Sequence, residues 1–243
     1  MKYLFIILIT FSVWSCKKSE DRSCYKSFGE LTEVEYSIDS VQEFKLYKKI
    51  KYNFYQDTSR KIVVRTGKNM QKFIEVKTQQ YITTINNYNH CNFLRDNDKK
   101  VEVDIHYPHY NTIYAEPSDS IIFIDTLKGE YTNIHLRDGG GTLKLNVNMN
   151  QIQVGISYGA GNFIIGGQAN YAHLSIQNLA YGDALNLKTN ELSIYHNSNN
   201  DLLTNFDSSN VKVLFYANGD IRFVGQPLNL SVDGVGEGEV IHY

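Results

Sequence analysis

The chain has 243 residues, 24 of them Lys or Arg and 26 Asp or Glu, and its formal net charge of −2 gives no global reason to expect a nucleic-acid partner. Aromatic residues are abundant (18 Tyr, 12 Phe, 1 Trp) while Ala occurs 7 times and Pro 3 times, a balance that disfavours a helical bundle and favours strands. A hydrophobic content of 42% excludes wholesale disorder and, at this length, suffices for a sizeable core.

In chain order, the first element is an address. Lys2 precedes an apolar run from Tyr3 to Trp14, about 12 residues, which is too short to cross a bilayer and suits the core of a signal peptide. The run closes in Val13-Trp14-Ser15-Cys16, which resembles a bacterial lipobox, although Trp14 is bulkier than the residue usual there. The resemblance implies cleavage after residue 15, diacylglycerol on Cys16 and stable anchoring in the outer membrane. An ordinary secretory signal cut nearby is the alternative. Residues 16–28 form the lipidated cysteine and a charged tether, Lys17-Lys18-Ser19-Glu20-Asp21. The tether reads either as a signal for the outer face of the membrane or as a solvated linker, so a periplasmic or surface-facing site stays open. Cys24 and Cys91 remain. In an oxidising compartment they read as a disulfide closing about 68 residues, worth about 4 kcal/mol in the chain-entropy model, against two separate thiols.

Residues 29–107 read as short strands. Val34, Tyr36 and Ile38 alternate with polar residues, as do Ile50, Tyr52 and Phe54, and then Val101, Val103, Ile105 and Tyr107 before Pro108. Lys61-Ile62-Val63-Val64 is a buried-type run closed by Gly67, and residues 68–75 predict a helical turn or two.

Residues 108–243 repeat. A small residue, any residue, a glycine-like position and a polar residue recur before apolar positions. The third position falls at Gly141, Gly161, Gly182, Asn200, Gly219 and Gly238, with spacings of 20, 21, 18, 19 and 19. An apolar pair recurs between copies: Ile134/Leu136, Ile152/Val154, Leu174/Ile176, Leu192/Ile194, Val211/Val213 and Leu230/Val232. A unit of about 19 residues is too short for a strand–helix–strand crossover and suits one coil of a parallel β-solenoid. The chain is therefore expected to be all-β, with a strand-rich first part and a parallel β-helix of about six or seven coils. The third position is expected to turn each corner at positive φ, where Gly and Asn carry the least strain.

These Gly-x-Gly-polar repeats, with Val41-Gln42-Glu43-Phe44 upstream and Asn89-His90-Cys91-Asn92 before Val101-Glu102-Val103-Asp104-Ile105, resemble the head GIN domain of putative auto-transporter adhesins, over residues 29–243. The resemblance implies a right-handed parallel β-helix in an envelope lipoprotein of a family with no established ligand or catalytic residues; a long rigid solenoid face without convergent catalytic groups is expected to serve as a non-enzymatic adhesin, binding or scaffolding module with no cofactor.

No P-loop, His-Glu-x-x-His or Cys-x-x-Cys spacing occurs, and no serine or cysteine stands out as a nucleophile. His106 and His109 bracket Tyr107-Pro108 with no evident third metal ligand. The sharpest constellation is the polar position after each corner: Thr142, Asn162, Asp183, Asp201, Asp220 and Glu239. In register, Asp183, Asp201, Asp220 and Glu239 form a column of carboxylates about 5 Å apart that raise one another's pKa or hold a hard cation such as Ca²⁺. The plain reading is that these side chains bond the corner backbone. The rival function is a polysaccharide-acting β-helix enzyme using the acids. Tyrosines in the second half (107, 110, 114, 131, 158, 171, 181, 195 and 216) offer a face for a glycan or a surface protein.

Overall fold

The computed structural model describes residues 27–89 and 100–243; the proposed lipid site Cys16 and the proposed bridge partners Cys24 and Cys91 lie outside them. The strands are β1 (Leu31–Ser37), β2 (Glu43–Leu46), β3 (Lys51–Tyr55), β4 (Lys61–Gly67), β5 (Ile74–Gln79), β6 (Ile82–Asn87), β7 (Glu102–His106), β8 (Thr112–Ala115) and β9 (Ile121–Phe123), then β10 (Leu127–Arg137), β11 (Thr142–Ser157), β12 (Asn162–Asn178), β13 (Tyr181–Ser198), β14 (Leu202–Asn205), β15 (Asn210–Phe215), β16 (Ile221–Val224), β17 (Asn229–Gly234) and β18 (Val240–His242). Among the described residues the one helical segment is a 3-10 turn at Gln71–Phe73. The helix expected over 68–75 stops there because Ile74 and Val76 pair with Asn87 and Ile85 across β5 and β6. No helix among the described residues is long and apolar enough to cross a membrane.

The strands wind into a parallel β-solenoid of about seven turns. One face stacks β6, β2, β8, β10, β11, β12, β13, β15 and β17; another stacks β7, β3, β9, β11, β12, β13, β14, β16 and β18. β11 to β13 run 16, 17 and 18 residues because each bends round a corner and serves more than one face. A third face pairs Leu127, Val147, Gly167 and Leu187 in succession. Stacking order departs from chain order at the beginning: β2 and β3 lie between the β6–β7 rung and the β8–β9 rung. Outside β6 and β7 lie antiparallel strands, β5 against β6 and β4 against β7, with β1 against β4.

Alternation puts every second side chain inside. Ile134, Val154, Leu174, Ile194 and Val213 form one buried file, and Leu136, Ile156, Ile176, His196 and Phe215 the next. At the early rungs the core is aromatic: Phe44, Phe54, Tyr110 and Phe123 contact one another at centroid distances of 4.6–6.3 Å. Tyr107 and Tyr110 belong to this cluster, not to the exposed face the sequence suggested. Their rings are buried, Tyr107 Oη accepts from the Val41 N–H at 2.6 Å, and Tyr110 Oη donates to the Tyr55 carbonyl at 2.7 Å.

His196 replaces an aliphatic residue in a core file, its ring centroid 5.1 Å from that of Phe215. Its Nε2 meets the Asn200 carbonyl at 3.1 Å while the buried Nδ1 has no partner. The neutral ring with the proton on Nε2 fits this site, and burial holds its pKa below the usual histidine value. Burial also lowers His135 and His173. Because the folded values lie below the unfolded one of about 6.5, stability is full above that pH and is lost as pH falls through it. Thermal melts are expected to shift downward between pH 7.5 and 5.5, with a smaller shift in His196→Leu; equal shifts in both proteins would exclude the buried ring as a source.

The corners correct one expectation. None of Gly141, Gly161, Gly182, Gly219 and Gly238 has positive φ. Left-handed backbone occurs instead at Asp138 (53°), Tyr158 (55°) and Asn178 (62°), equivalent positions on three consecutive coils. Gly141 and Gly219 are needed for space: a Cβ would stand 2.1 Å from the Asp119 carbonyl oxygen at the first and 2.2 Å from that of Asn200 at the second. Gly182 is not a corner at all. Asn162 pairs with Tyr181 and Phe163 with Gly182, so Ala180 holds the corner and Gly182 faces the core.

Candidate functional site

The acidic column forms over three positions rather than four. Leu202, Ile221 and Val240 pair in succession, which aligns the preceding residues Asp201, Asp220 and Glu239. Asp183 pairs with Leu203, two positions further along its strand. There its Oδ1 accepts the Leu185 N–H at 3.2 Å, within the irregularity that shifts β12 against β13. The slip removes Asp183 from the column and puts Tyr181 in its place.

Two of the three aligned acids, Asp201 and Asp220, are already engaged. Asp201 Oδ1 accepts the Asp220 N–H at 3.0 Å, and Asp220 Oδ1 accepts the Glu239 N–H at 3.1 Å, so each carboxylate ties its corner to the next coil. Arg222 donates from Nε to Asp201 Oδ2 at 2.8 Å and from Nη2 to Asp220 Oδ2 at 3.0 Å. A positive charge from the chain itself therefore lies between Asp201 and Asp220. Among the described residues no group of three or more His, Cys, Asp or Glu is arranged to hold a metal ion. His106 is engaged too, its Nδ1 2.7 Å from Asp57 Oδ2 and its ring stacked on Tyr55. This bond to His106 holds the Asp57 carboxyl below the usual range.

An open groove of about 890 Å³ runs beside an amide ladder. Asn190 donates to Asn170, Asn170 to Asn150 and Asn150 to Glu130, at 3.1, 2.8 and 3.2 Å. Such ladders stabilise stacked parallel strands. Their donors and acceptors are largely spent on one another, and no ring lines the groove.

A smaller hollow of about 460 Å³ has richer chemistry. It lies at the corner after β10 and β11, lined by Glu43, Thr112, Tyr114, Asn133, His135, Arg137, Ser157, Tyr158 and Gln177. Tyr114 and His135 occupy paired positions on adjacent rungs, their rings parallel within 3° and 6.1 Å apart. The Tyr114 hydroxyl donates to Glu116 at 3.4 Å. Burial, and after it the Glu116 charge, pushes its pKa up. Burial and then the Arg137 charge hold His135 neutral. Across the corner the Arg137 guanidinium lies 4.7 Å from the centre of the Tyr158 ring, and its Nε bonds Asp138 at 3.2 Å. Tyr158 is 65% exposed although it has a large apolar ring.

The backbone at Tyr158 makes that exposure informative. The coils on either side place Asp138 and Asn178 at this left-handed position, both short polar residues that tolerate it. A tyrosine there carries strain of about 1–3 kcal/mol.

Gly155-Ile156-Ser157-Tyr158-Gly159 also has the Gly-x-Ser-x-Gly spacing of a hydrolase nucleophile elbow. Ser157 Oγ lies 2.8 Å from His135 Nε2. The serine nevertheless is buried and sits where one strand turns into another, with no following helix. Among the described residues no carboxylate bonds the second nitrogen of His135, so a Ser-His-acid relay is not assembled. A similar pair, His173 Nδ1 and Ser193 Oγ at 3.1 Å, occupies neighbouring rungs on the same face. Both pairs orient rings on a ladder of coils.

A family model described as putative auto-transporter adhesin, head GIN domain, matches residues 42–227. The chain belongs to this family. Its head GIN solenoid is similar to a crystal structure of a putative adhesin from Bacteroides fragilis (TM-score 0.75, 17% identity, 88% of this chain and 97% of that one). It is also similar to a putative adhesin from Parabacteroides distasonis (0.66, 19%, 88% and 98%) and to a protein described as a putative lipid binding protein from the same species (0.59, 11%, 87% and 97%). At these identities the likeness carries the fold. Comparison with curated proteins gives no match.

Proposed function

We propose that this head GIN domain is a non-enzymatic binding module of the cell envelope, held on the outer membrane through a lipidated Cys16 and presenting the lateral faces of its solenoid to a glycan or a surface protein. The observation that carries the reading is the state of the polar groups. Asp201 and Asp220, the central acids that suggested catalysis, are spent on the corner backbone and Arg222, whereas Tyr158 and Arg137 stay exposed. A stack of parallel coils supplies a long rigid surface, and binding sites commonly sit on such faces. Family membership and the adhesin descriptions of the structural neighbours support the same role.

The test compares cells displaying the full chain with cells lacking it, for adhesion to host-type and bacterial surfaces. Palmitate labelling is expected for the wild type and to be lost in Cys16→Ser. Adhesion that depends on the chain supports the reading. Its absence, or turnover of a polysaccharide or an ester lost in Asp201→Asn or Ser157→Ala, contradicts it.

A further inference from the structure

We propose that the hollow between Tyr114 and Tyr158 binds a carboxylate-bearing pyranose, an acidic sugar of the uronate or sialate class. The assignment deepens the binding-module reading and rests on it.

Four observations converge. The hollow of about 460 Å³ falls inside the range of small-ligand clefts and suits one or two sugar rings. Its rim carries two aromatic surfaces, the Tyr114–His135 pair and the exposed Tyr158 ring, against which the C–H face of a pyranose packs. Between them Arg137 offers a planar fork of donors suited to bidentate capture of a carboxylate, and Asp138 takes its Nε. Stacking on Tyr158 holds the guanidinium plane in place. At the opposite end Glu43 and Asn133 supply acceptors and donors for hydroxyl groups. The ligand is thereby oriented, its carboxylate toward Tyr158 and its hydroxyls toward Glu43.

Tyr158 itself adds a further observation. Adjacent coils show that Asp or Asn fills this left-handed corner without difficulty. A tyrosine there disfavours the fold, and it stays largely exposed rather than packed in the core. Strain kept where it does not help packing is expected at a binding site. The amide groove is larger but lacks both an aromatic ring and a guanidinium on its rim.

The experiment uses the full-length protein in detergent. Calorimetry measures binding of a galacturonate trisaccharide, its methyl-esterified neutral form, and sialyllactose, to the wild type, Arg137→Gln and Tyr158→Asn. Binding of at least one carboxylated sugar is expected, weakened at least tenfold by esterification or by either substitution. Tyr158→Asn is further expected to melt at or above the wild-type temperature, since it removes strain, which separates a lost ligand contact from a damaged fold. Equal binding of acid and ester, or substitutions without effect, overturns the assignment. If the displayed chain adheres to cells but binds neither carboxylated sugar, this site assignment fails while the binding-module reading survives. If it adheres to nothing and binds no sugar, both fail.

Discussion

Gly141→Ala is expected to destabilise the protein by about 3 kcal/mol or more, while Gly140→Ala, one residue earlier in the same corner, leaves stability unchanged or raises it by about 0.5 kcal/mol. A Cβ on Gly141 would stand 2.1 Å from the Asp119 carbonyl oxygen and 2.8 Å from Pro117 Cβ. The Gly141 N–H also donates to the Pro117 carbonyl at 3.0 Å, so the two coils cannot part without losing that bond. The obstacle is backbone, and the rung spacing of about 4.8 Å is set by ladders on several faces, leaving no route for local relaxation. A Cβ on Gly140 would meet no atom within 4 Å beyond its chain neighbours. The same geometry grades the other corners. Gly219→Ala meets the Asn200 carbonyl at 2.2 Å and should cost nearly as much as Gly141→Ala; Gly161→Ala meets the Gly141 carbonyl at 3.2 Å and should cost much less. Urea titrations of the four variants give the order directly. A uniform cost across these positions would mean that contact with the neighbouring coil is not what selects glycine.

The second large effect lies in the core beneath the acidic column. Phe163, Gly182 and Leu202 occupy paired inward positions on three successive rungs. A Cβ on Gly182 would come within 2.5 Å of Phe163 Cζ and 2.6 Å of Leu202 Cδ1, so the missing side chain makes room for the phenyl ring. Phe163→Ala is expected to cost about 3–5 kcal/mol, because the ring is fully buried and its neighbour has no side chain to fill the void. Gly182→Ala alone should cost about 1–3 kcal/mol by overpacking. In the double variant Phe163→Leu/Gly182→Ala the cost should fall short of the sum for Phe163→Leu and Gly182→Ala measured singly by at least about 0.5 kcal/mol, the mark of two residues sharing one space. Strict additivity in chemical denaturation would separate the two sites energetically and remove this explanation for Gly182.

The Gly182 case shows why the sequence repeat misplaces Asp183. On a strand, side chains i and i+2 share a face, so a shift of two residues preserves the alternation of apolar and polar positions. The pairs read from the sequence as Ile134, Ile152 and Leu174 are 18 and 22 residues apart, whereas Ile134, Val154 and Leu174 align in the structure at 20 and 20. The same two-residue ambiguity promoted Gly182 over Ala180 and brought Asp183 into a column that it does not join. Tyr158 was visible only as one tyrosine among several, because nothing in the local pattern marks its left-handed backbone or the arginine beside it.

By itself, then, the sequence determined the all-β class, the parallel winding, the repeat length of about 19 residues and the file of small corner residues, since each follows from local alternation and from the space one coil leaves the next. Only the tertiary structure decided the register of each rung and the insertion of β2 and β3 between rungs formed later in the chain. It alone brought together Tyr114, His135, Arg137 and Tyr158. These are matters of which strand's N–H groups meet which strand's carbonyls. An alternating strand offers nearly equivalent pairings two residues apart and on either neighbour, so the choice falls to the packing of the whole stack.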